Sequence, residues 1–523
     1  MAVFFHSGAE LLIDNLDQRG FGSQGHGVLI SGNCSNITLH GVSVRWKVRP
    51  SGRSQGDGIR VLGVANVRSD GGPSNISIID GQVLGAAQAG VIFMGVQDII
   101  VRNLTVRDTL ADGLHLNACR RIAISELTLI NTGDDGLAFV TYYQPDAPGA
   151  LSPFGPFSSP NHTYSNDCEA TVTNIFISGG AADGIRLAGA TNISIDRAQI
   201  VAKPIGVQID SAVAGGQIGW TYLASRDISL RNISIQDCGV GMLLHSENVG
   251  LAAAGYHRDA LLNGSYTDFN VSISDVAIAN STQYQLYAEN CSGFTVRGLL
   301  AIESMGGLVL KQVSDFLLAD VHVTLARCSE NECTWGVAVY GSSVPMVAET
   351  LDAQMPAVQV SLCNVTAVES GVLLQDIRGL ETHGLSSELS PGSGVMLVRV
   401  LDSVLEDVAV LQPNRHRSGA LVPVRGLGVE LGRRVTVTGL NVTIDDAPIR
   451  SIELGGGVAA AAISEQVAIS QAWYSSANRK AADDVVVQGG PFAPLHSSIE
   501  LEFFNAASGS SAHWRQYCYP PRN

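Results

Sequence analysis

The chain has 523 residues, of which 45% are hydrophobic and only 15% charged, with a mean hydropathy of +0.19 and a formal net charge of −16. No apolar run reaches the roughly 18 residues of a membrane span, and the acidic balance argues against nucleic acid or an anionic membrane as a partner. Apolar residues instead alternate with Ser, Thr and Asn in short blocks, which is an all-β composition.

The N-terminus, Met1 to Asp14, has no basic segment and only a short apolar run, so it does not read as a signal peptide. Asn-x-Ser/Thr sites are nevertheless numerous, those at Asn161 and Asn263 lying in loops, and with the fold class they favour an extracellular or secretory-pathway protein. From residue 58 onward one pattern repeats, a glycine followed by an apolar residue. It occurs at Gly58, Gly90, Gly113, Gly136, Gly184, Gly206 and Gly241, and again at Gly307, Gly336, Gly371, Gly394 and Gly428, with steps as regular as 23, 23 and 22 residues. A second column, half a repeat away, sets a turn residue before an alternating strand: Asn36, Asn75, Asp98, Arg121, Asn192, Asn232 and Asn270.

Repeats of this length without helical periodicity predict a solenoid, a single-stranded parallel β-helix, right-handed by its likeness to known folds of this look. Each coil would turn Ile, Val and Leu inward, and glycine would stand where a side chain would clash. The pattern predicts one helix over residues 1–490, followed by a tail or cap over 491–523. Longer steps are insertions on one face. The largest covers 141–170, and others lie near 212–225, 250–266, 342–355 and 412–422. Nine cysteines include one close pair, Cys328 and Cys333, which is either a small disulfide loop or two unpaired thiols.

The residue before each glycine forms a stack: Asp57, Ala89, Asp112, Asp135, Asp183, Ile205 and Val240, and later Gly306, Trp335, Ser370 and Ser393. Aspartate is confined to the first part, whereas a purely structural carboxylate would recur throughout. Coils about 4.8 Å apart would bring Asp112 and Asp135 together, with Asp134 one position round the turn. Like charges at that spacing push pKa values apart, providing an acid and a base from one residue type. Calcium binding is the competing use of such a cluster. Two places after the glycine the column reads Arg60, Ile92, His115, Ala138, Arg186, Gln208 and Leu243, so Arg60, His115, Arg186 and Gln208 would flank the aspartates. The two arginines either hold substrate or pair with Asp57 and Asp183.

At Leu110-Ala111-Asp112-Gly113 and Gly133-Asp134-Asp135 the chain resembles the polygalacturonase family of pectin-lyase-like β-helices. That family carries Asn-Thr-Asp-Gly, then Gly-Asp-Asp, Gly-His-Gly and Arg-Ile-Lys. The resemblance implies an inverting glycoside hydrolase in which Asp134 is the general acid while Asp112 and Asp135 hold and activate the water. It also implies a polysaccharide partner, no cofactor and a monomer. The third and fourth motif positions read Ala182-Asp183-Gly184 and Gln208-Ile209-Asp210. Asp183, Gln208 and Asp210 would therefore contact substrate where the family has histidine and two cations, which points to a neutral or differently substituted sugar. Two other readings stay open. One is a lyase or uronate epimerase, with Arg186 or His115 as base and calcium as a candidate cofactor. The other is a non-catalytic carbohydrate-binding β-helix.

Overall fold

The computed structural model describes residues 25–143, 167–246 and 267–326 with short gaps at 33, 47–48, 55, 64–72 and 216–219. Beyond these it describes 335–341, 359–388, 394–411, 425–430 and 433–444, and elsewhere isolated strand segments by their backbone. The chain divides into two compact units, Met1–Ala277 and Ile278–Asn523. Among the described residues there is no helix.

From Ile59 to Gln236 each coil contributes one short strand and one long, bent strand. The short strands Ile59–Leu62, Val91–Met94, Leu114–Asn117, Leu137–Val140, Ile185–Ala188, Ile205–Ser211 and Val240–Ser246 pair in parallel, each with the next. The long strands, from Ser74–Leu84 to Arg226–Gln236, form a second parallel ladder. This is a parallel β-helix, as the repeat predicts, and its expected right-handed sense is the one that parallel crossovers take almost without exception.

Side chains at matching positions stack along the coils. Val61, Phe93, Leu116, Phe139, Leu187 and Ile209 form one buried column behind the short strands. Ile78, Val101, Ile124, Val172, Ile195 and Leu230 form another behind the long ones. No coil could bury these faces alone. Each fully buried Val, Leu or Ile contributes about 1.5–3 kcal/mol, and stacking is what provides that burial.

The bends are made by single residues in the left-handed conformation, such as Asn75 (φ 53), Asp98 (φ 56), Asn103 (φ 51), Asn131 (φ 54) and Asn192 (φ 59). Asn and Asp tolerate that region best among non-glycine residues. Their side chains bond from coil to coil, as in Asn75 Nδ2 to Asn36 Oδ1 at 2.6 Å and Asn131 Nδ2 to Asp108 Oδ1 at 2.6 Å. One member of the predicted turn column belongs elsewhere. Ile193 pairs with Ile228, so Asp227 starts that strand and Asn232 occupies its mid-strand bend. An Asn before an alternating strand marks any corner, and the local pattern does not say which one.

The glycine column is in register throughout the first unit, from Gly58 to Gly241. Its cause is close approach. A Cβ on Gly136 would stand 2.5 Å from the Gly184 carbonyl oxygen, and one on Gly184 would stand 2.5 Å from that of Gly206. In the second unit Gly307, Gly336, Gly371 and Gly394 form a column of the same kind. Its next member is Gly426, because Val395 pairs with Leu427; Gly428 lies two residues further along the strand.

The predicted tail contains Ser497–Asn505 and Ser510–Cys518, which pair antiparallel. Cys328 and Cys333, Ser393, Asn161 and Asn263 lie outside the described residues. So do most of the 141–170 insertion and the 250–266, 342–355 and 412–422 loops.

Candidate active site

Three aspartates meet at one edge of the short-strand ladder. Asp112 and Asp135 precede column glycines on adjacent coils, because Leu114 pairs with Leu137. Asp134 is carried by the turn before Asp135. Gly133 is required there: a Cβ would lie 2.5 Å from the backbone carbonyl of Leu110. One oxygen from each of Asp112, Asp134 and Asp135 lies within 4.8 Å of the other two.

Part of each carboxylate is structural. Asp57 Oδ1 accepts the Ala89 N–H, Asp112 Oδ1 accepts the Asp135 N–H, and Asp135 Oδ1 accepts the Asp183 N–H, each at 3.1 Å. The stack thus ties coil to coil through one oxygen, and the other oxygen is where the members differ. Asp57 turns it to Arg60 (3.1 Å), and its backbone N–H donates to His26 Nδ1 (3.2 Å), a buried group two coils before Asp112. Asp112 turns it to His115 Nδ1 at 2.5 Å. Asp134, 34% exposed where Asp112 and Asp135 are nearly covered, pairs with Arg53 at 2.7 Å. Asp183 Oδ2 has no hydrogen-bond partner and lies 3.8 Å from Arg186.

These surroundings separate the carboxyls. Burial pushes Asp112 up, but the hydrogen bond and charge of His115, with Arg53 and the Asp135 N–H, more than offset it, so its pKa falls below the ordinary carboxylate value. Burial pushes Asp135 well above that value, and the charges of Asp112 and Asp183 push the same way. Asp183 is raised to about 7, mainly by burial, against the pull of Arg186 and Lys203. Adjacent coils therefore carry one carboxyl with its pKa lowered and one with its pKa raised.

Arg186 leans on Asp210 rather than on the carboxylate of its own coil. Its Nη2 is 2.6 Å from Asp210 Oδ2, and Gln208 Nε2 donates to both Asp210 oxygens at 2.9 and 2.8 Å. The register explains this, since Arg186 is level with Gln208, and Ala188 with Asp210. The guanidinium also stacks 5.3 Å from the Tyr222 ring. Tyr222 pairs with Tyr142 across a small antiparallel sheet, and both rings pack on Ala138, Val140 and Ala188. Two insertions predicted as loops thus meet as a wall beside the aspartates.

The sequence columns missed Lys203. It is 2% exposed, and its Nζ lies 3.1 Å from Thr132 Oγ1 and 3.2 Å from the Asp134 carbonyl oxygen. It starts two coils from that turn and passes a coil that is small at this point, Gly180-Ala181-Ala182. Burial pulls its pKa down, while Asp135, Asp183, Asp112 and Asp134 pull it up. The signal was present, because a Lys before Pro204 is rare in a chain with four lysines and falls where neighbouring coils carry small or apolar residues. Arg53 gave no such signal, coming from an irregular segment outside both columns.

The cluster is compact enough to face a cation, but calcium takes six to eight oxygens. Both Asp112 oxygens, one of Asp134 and one of Asp135 already have partners in the chain.

No family model and no curated protein matches the chain. Solved structures do. A mutant tailspike protein of E. coli bacteriophage HK620 in complex with a pentasaccharide aligns over 96% of this chain and 74% of its own, at 10% identity and a TM-score of 0.35. The A-module of an Azotobacter vinelandii mannuronan C-5 epimerase aligns over 87% and 89%, at 12% identity and a TM-score of 0.24. The catalytic domain of a GH87 alpha-1,3-glucanase in complex with tetrasaccharides aligns over 86% and 64%, at 11% identity and a TM-score of 0.27. The likeness is one of fold. The chemistry is read from this chain's own residues.

Proposed function

We propose that the protein is a carbohydrate-active β-helix that hydrolyses glycosidic bonds at the Asp112–Asp134–Asp135 cluster. One observation carries this reading: three carboxyls within 4.8 Å, in surroundings that lower the pKa of Asp112 and raise that of Asp135. Glycoside hydrolysis needs that pair.

In the proposed reaction Asp112, kept ionised by His115, takes a proton from water as the water oxygen bonds to the anomeric carbon. The glycosidic carbon–oxygen bond breaks, and the leaving oxygen takes a proton from a carboxylic acid. Protonation state favours Asp135 for that acid, and exposure favours Asp134, the duty the family resemblance implies for it. Inverting pairs usually stand about 6.5–9.5 Å apart with water between them. Here the carboxyls are closer, so in an inverting reaction the water would sit beside the cluster rather than inside it. The proposed reaction uses no metal.

The proton-abstraction alternative has less support. Arg186 as a base would have to lose its proton, yet its pKa is raised, the charges of Tyr222, Asp210, Asp135 and Asp183 outweighing burial. His115 has its Nδ1 committed to Asp112, which leaves Nε2 as the remaining candidate base.

The test is release of reducing ends from a panel of plant and algal polysaccharides, with Asp112→Asn, Asp134→Asn and Asp135→Asn alongside wild type. Hydrolysis here requires release that collapses in Asp112→Asn and in one of the other two variants, which identifies the acid. Products absorbing in the ultraviolet would replace the hydrolase with a lyase. No release of either kind, with glycan binding retained, would leave a binding protein. Proton NMR of the first-formed anomer then decides between inversion and retention.

A further inference from the structure

We propose that the Asp112–Asp134–Asp135 site takes an uncharged glycan at its cleavage subsite and rejects uronate and sulfated chains. This rests on the hydrolase reading above and adds the substrate class.

The first ground is that the cations around the cluster are already committed. Arg53 is held by Asp134 at 2.7 Å and by Gln88 at 2.8 Å. Arg60 is held by Asp57 at 3.1 Å. Lys203 is buried and points its charge at the Asp134 carbonyl and Thr132. Arg186, on the coil next to Asp135, is held by Asp210 at 2.6 Å. Asp210 is 0% exposed and is bridged on both oxygens by Gln208. If Arg186 turned to a substrate anion, a fully buried carboxylate would be stranded with an amide for company. Uncompensated burial of that kind costs more than the new pair returns.

The second ground is charge balance. Three carboxylates, Asp112, Asp134 and Asp210, face three cations, Arg53, Arg186 and Lys203, while Asp135 and Asp183 are environments that favour the neutral acid. The site therefore offers little net attraction to a charge of either sign, and an added anion would meet Asp134, the most exposed of its aspartates.

Matched polymers test this. Polygalacturonate and alginate are compared with the same polymers after carboxyl reduction, which removes the charge and keeps the backbone, and neutral xylan, mannan and β-glucan are run beside carrageenan. Wild type is assayed for reducing ends. Oligosaccharides of each polymer are titrated calorimetrically into Asp135→Asn, and circular dichroism verifies its fold. The expected result is at least a tenfold preference, in kcat/KM or in affinity, for the neutral member of whichever pair is recognised, or recognition confined to the neutral polymers. Equal or better use of a uronate or sulfated polymer overturns the inference. If nothing is cleaved, the hydrolase reading falls, and the binding arm decides the charge question alone: neutral preference sustains it, while acidic preference or no binding at all ends it.

Discussion

The coils from Gly58 to Gly241 and those from Gly307 to Gly426 repeat one backbone, with the same glycine column and the same inward-facing aliphatic residues. The faces they turn outward differ. In the first set the residue before the glycine is aspartate in four coils, and the position two beyond it bears Arg60, His115, Arg186 and Gln208. In the second, the described residues before the glycine include Gly306, Trp335 and Ser370, and the outward position reads Val309, Ala338, Leu373 and Met396. Ala338, Leu373 and Met396 cluster there with Trp335, Tyr340 and Val398 packed against them. The coil is therefore a neutral carrier. Glycine and aliphatic positions make it stack, and two outward columns decide whether a stretch carries chemistry.

That comparison can be broken most directly at the carboxylates. Asp112→Asn is expected to lower kcat by about 10²–10⁴-fold, the usual contribution of a general acid or base, whereas Ser370→Ala at the matching second-unit position should leave turnover unchanged. Steady-state kinetics on the best substrate of the panel would show it, and equal losses would dissolve the distinction between the two stretches.

Glycine substitutions should instead affect both stretches alike. Gly136→Ala meets the Gly184 carbonyl at 2.5 Å, and Gly394→Ala meets the Gly426 carbonyl at 2.8 Å and Val410 Cγ1 at 2.3 Å. Overpacking of this kind typically costs about 1–3 kcal/mol. Thermal unfolding should register both, while only Gly136→Ala should also depress kcat, by displacing Asp135.

Lys203→Met removes the donor to the Asp134 carbonyl and Thr132. The expected loss is about 1–3 kcal/mol for groups left unsatisfied, with a fall in kcat that Lys203→Arg partly restores. A stability loss without any change in kcat would make this lysine structural only.

A pH dependence separates the two stretches as well. Asp183 has its pKa raised from the ordinary 3.8 to about 7, chiefly by burial. Between those values the unfolded chain has lost the proton that the folded chain keeps. Stability from this group is therefore full below the unfolded value and is lost as pH rises through the folded one. Asp183→Asn should flatten the fall in Tm between about pH 4 and 7. An unchanged slope would mean that Asp183 does not carry it.

Much of the fold was legible because a solenoid is a local object. A glycine that must pass a neighbouring carbonyl recurs at every coil, and alternation names the inward face, so the register from Gly58 to Gly241 followed from spacing alone. The same locality explains the two slips. Asn232 has the right neighbours for a corner but sits at the wrong one, and Gly428 has an apolar follower but lies two residues beyond Gly426. Each was decided by pairing with the adjacent coil, which the local pattern does not encode.

Of the site, the sequence by itself determined that Asp112 and Asp135 stack and that Asp134 turns beside them, because consecutive coils must superpose. Only the tertiary structure decided their states and their company. Arg53 arrives from 81 residues before Asp134, Lys203 from 69 residues after it, and Asp210 takes Arg186 away from Asp183. Charge acts through space over a few ångströms and is blind to chain order. The residues that set a pKa in a stacked fold are therefore those of the neighbouring coils and insertions, and their identity emerges only once the coils are in place.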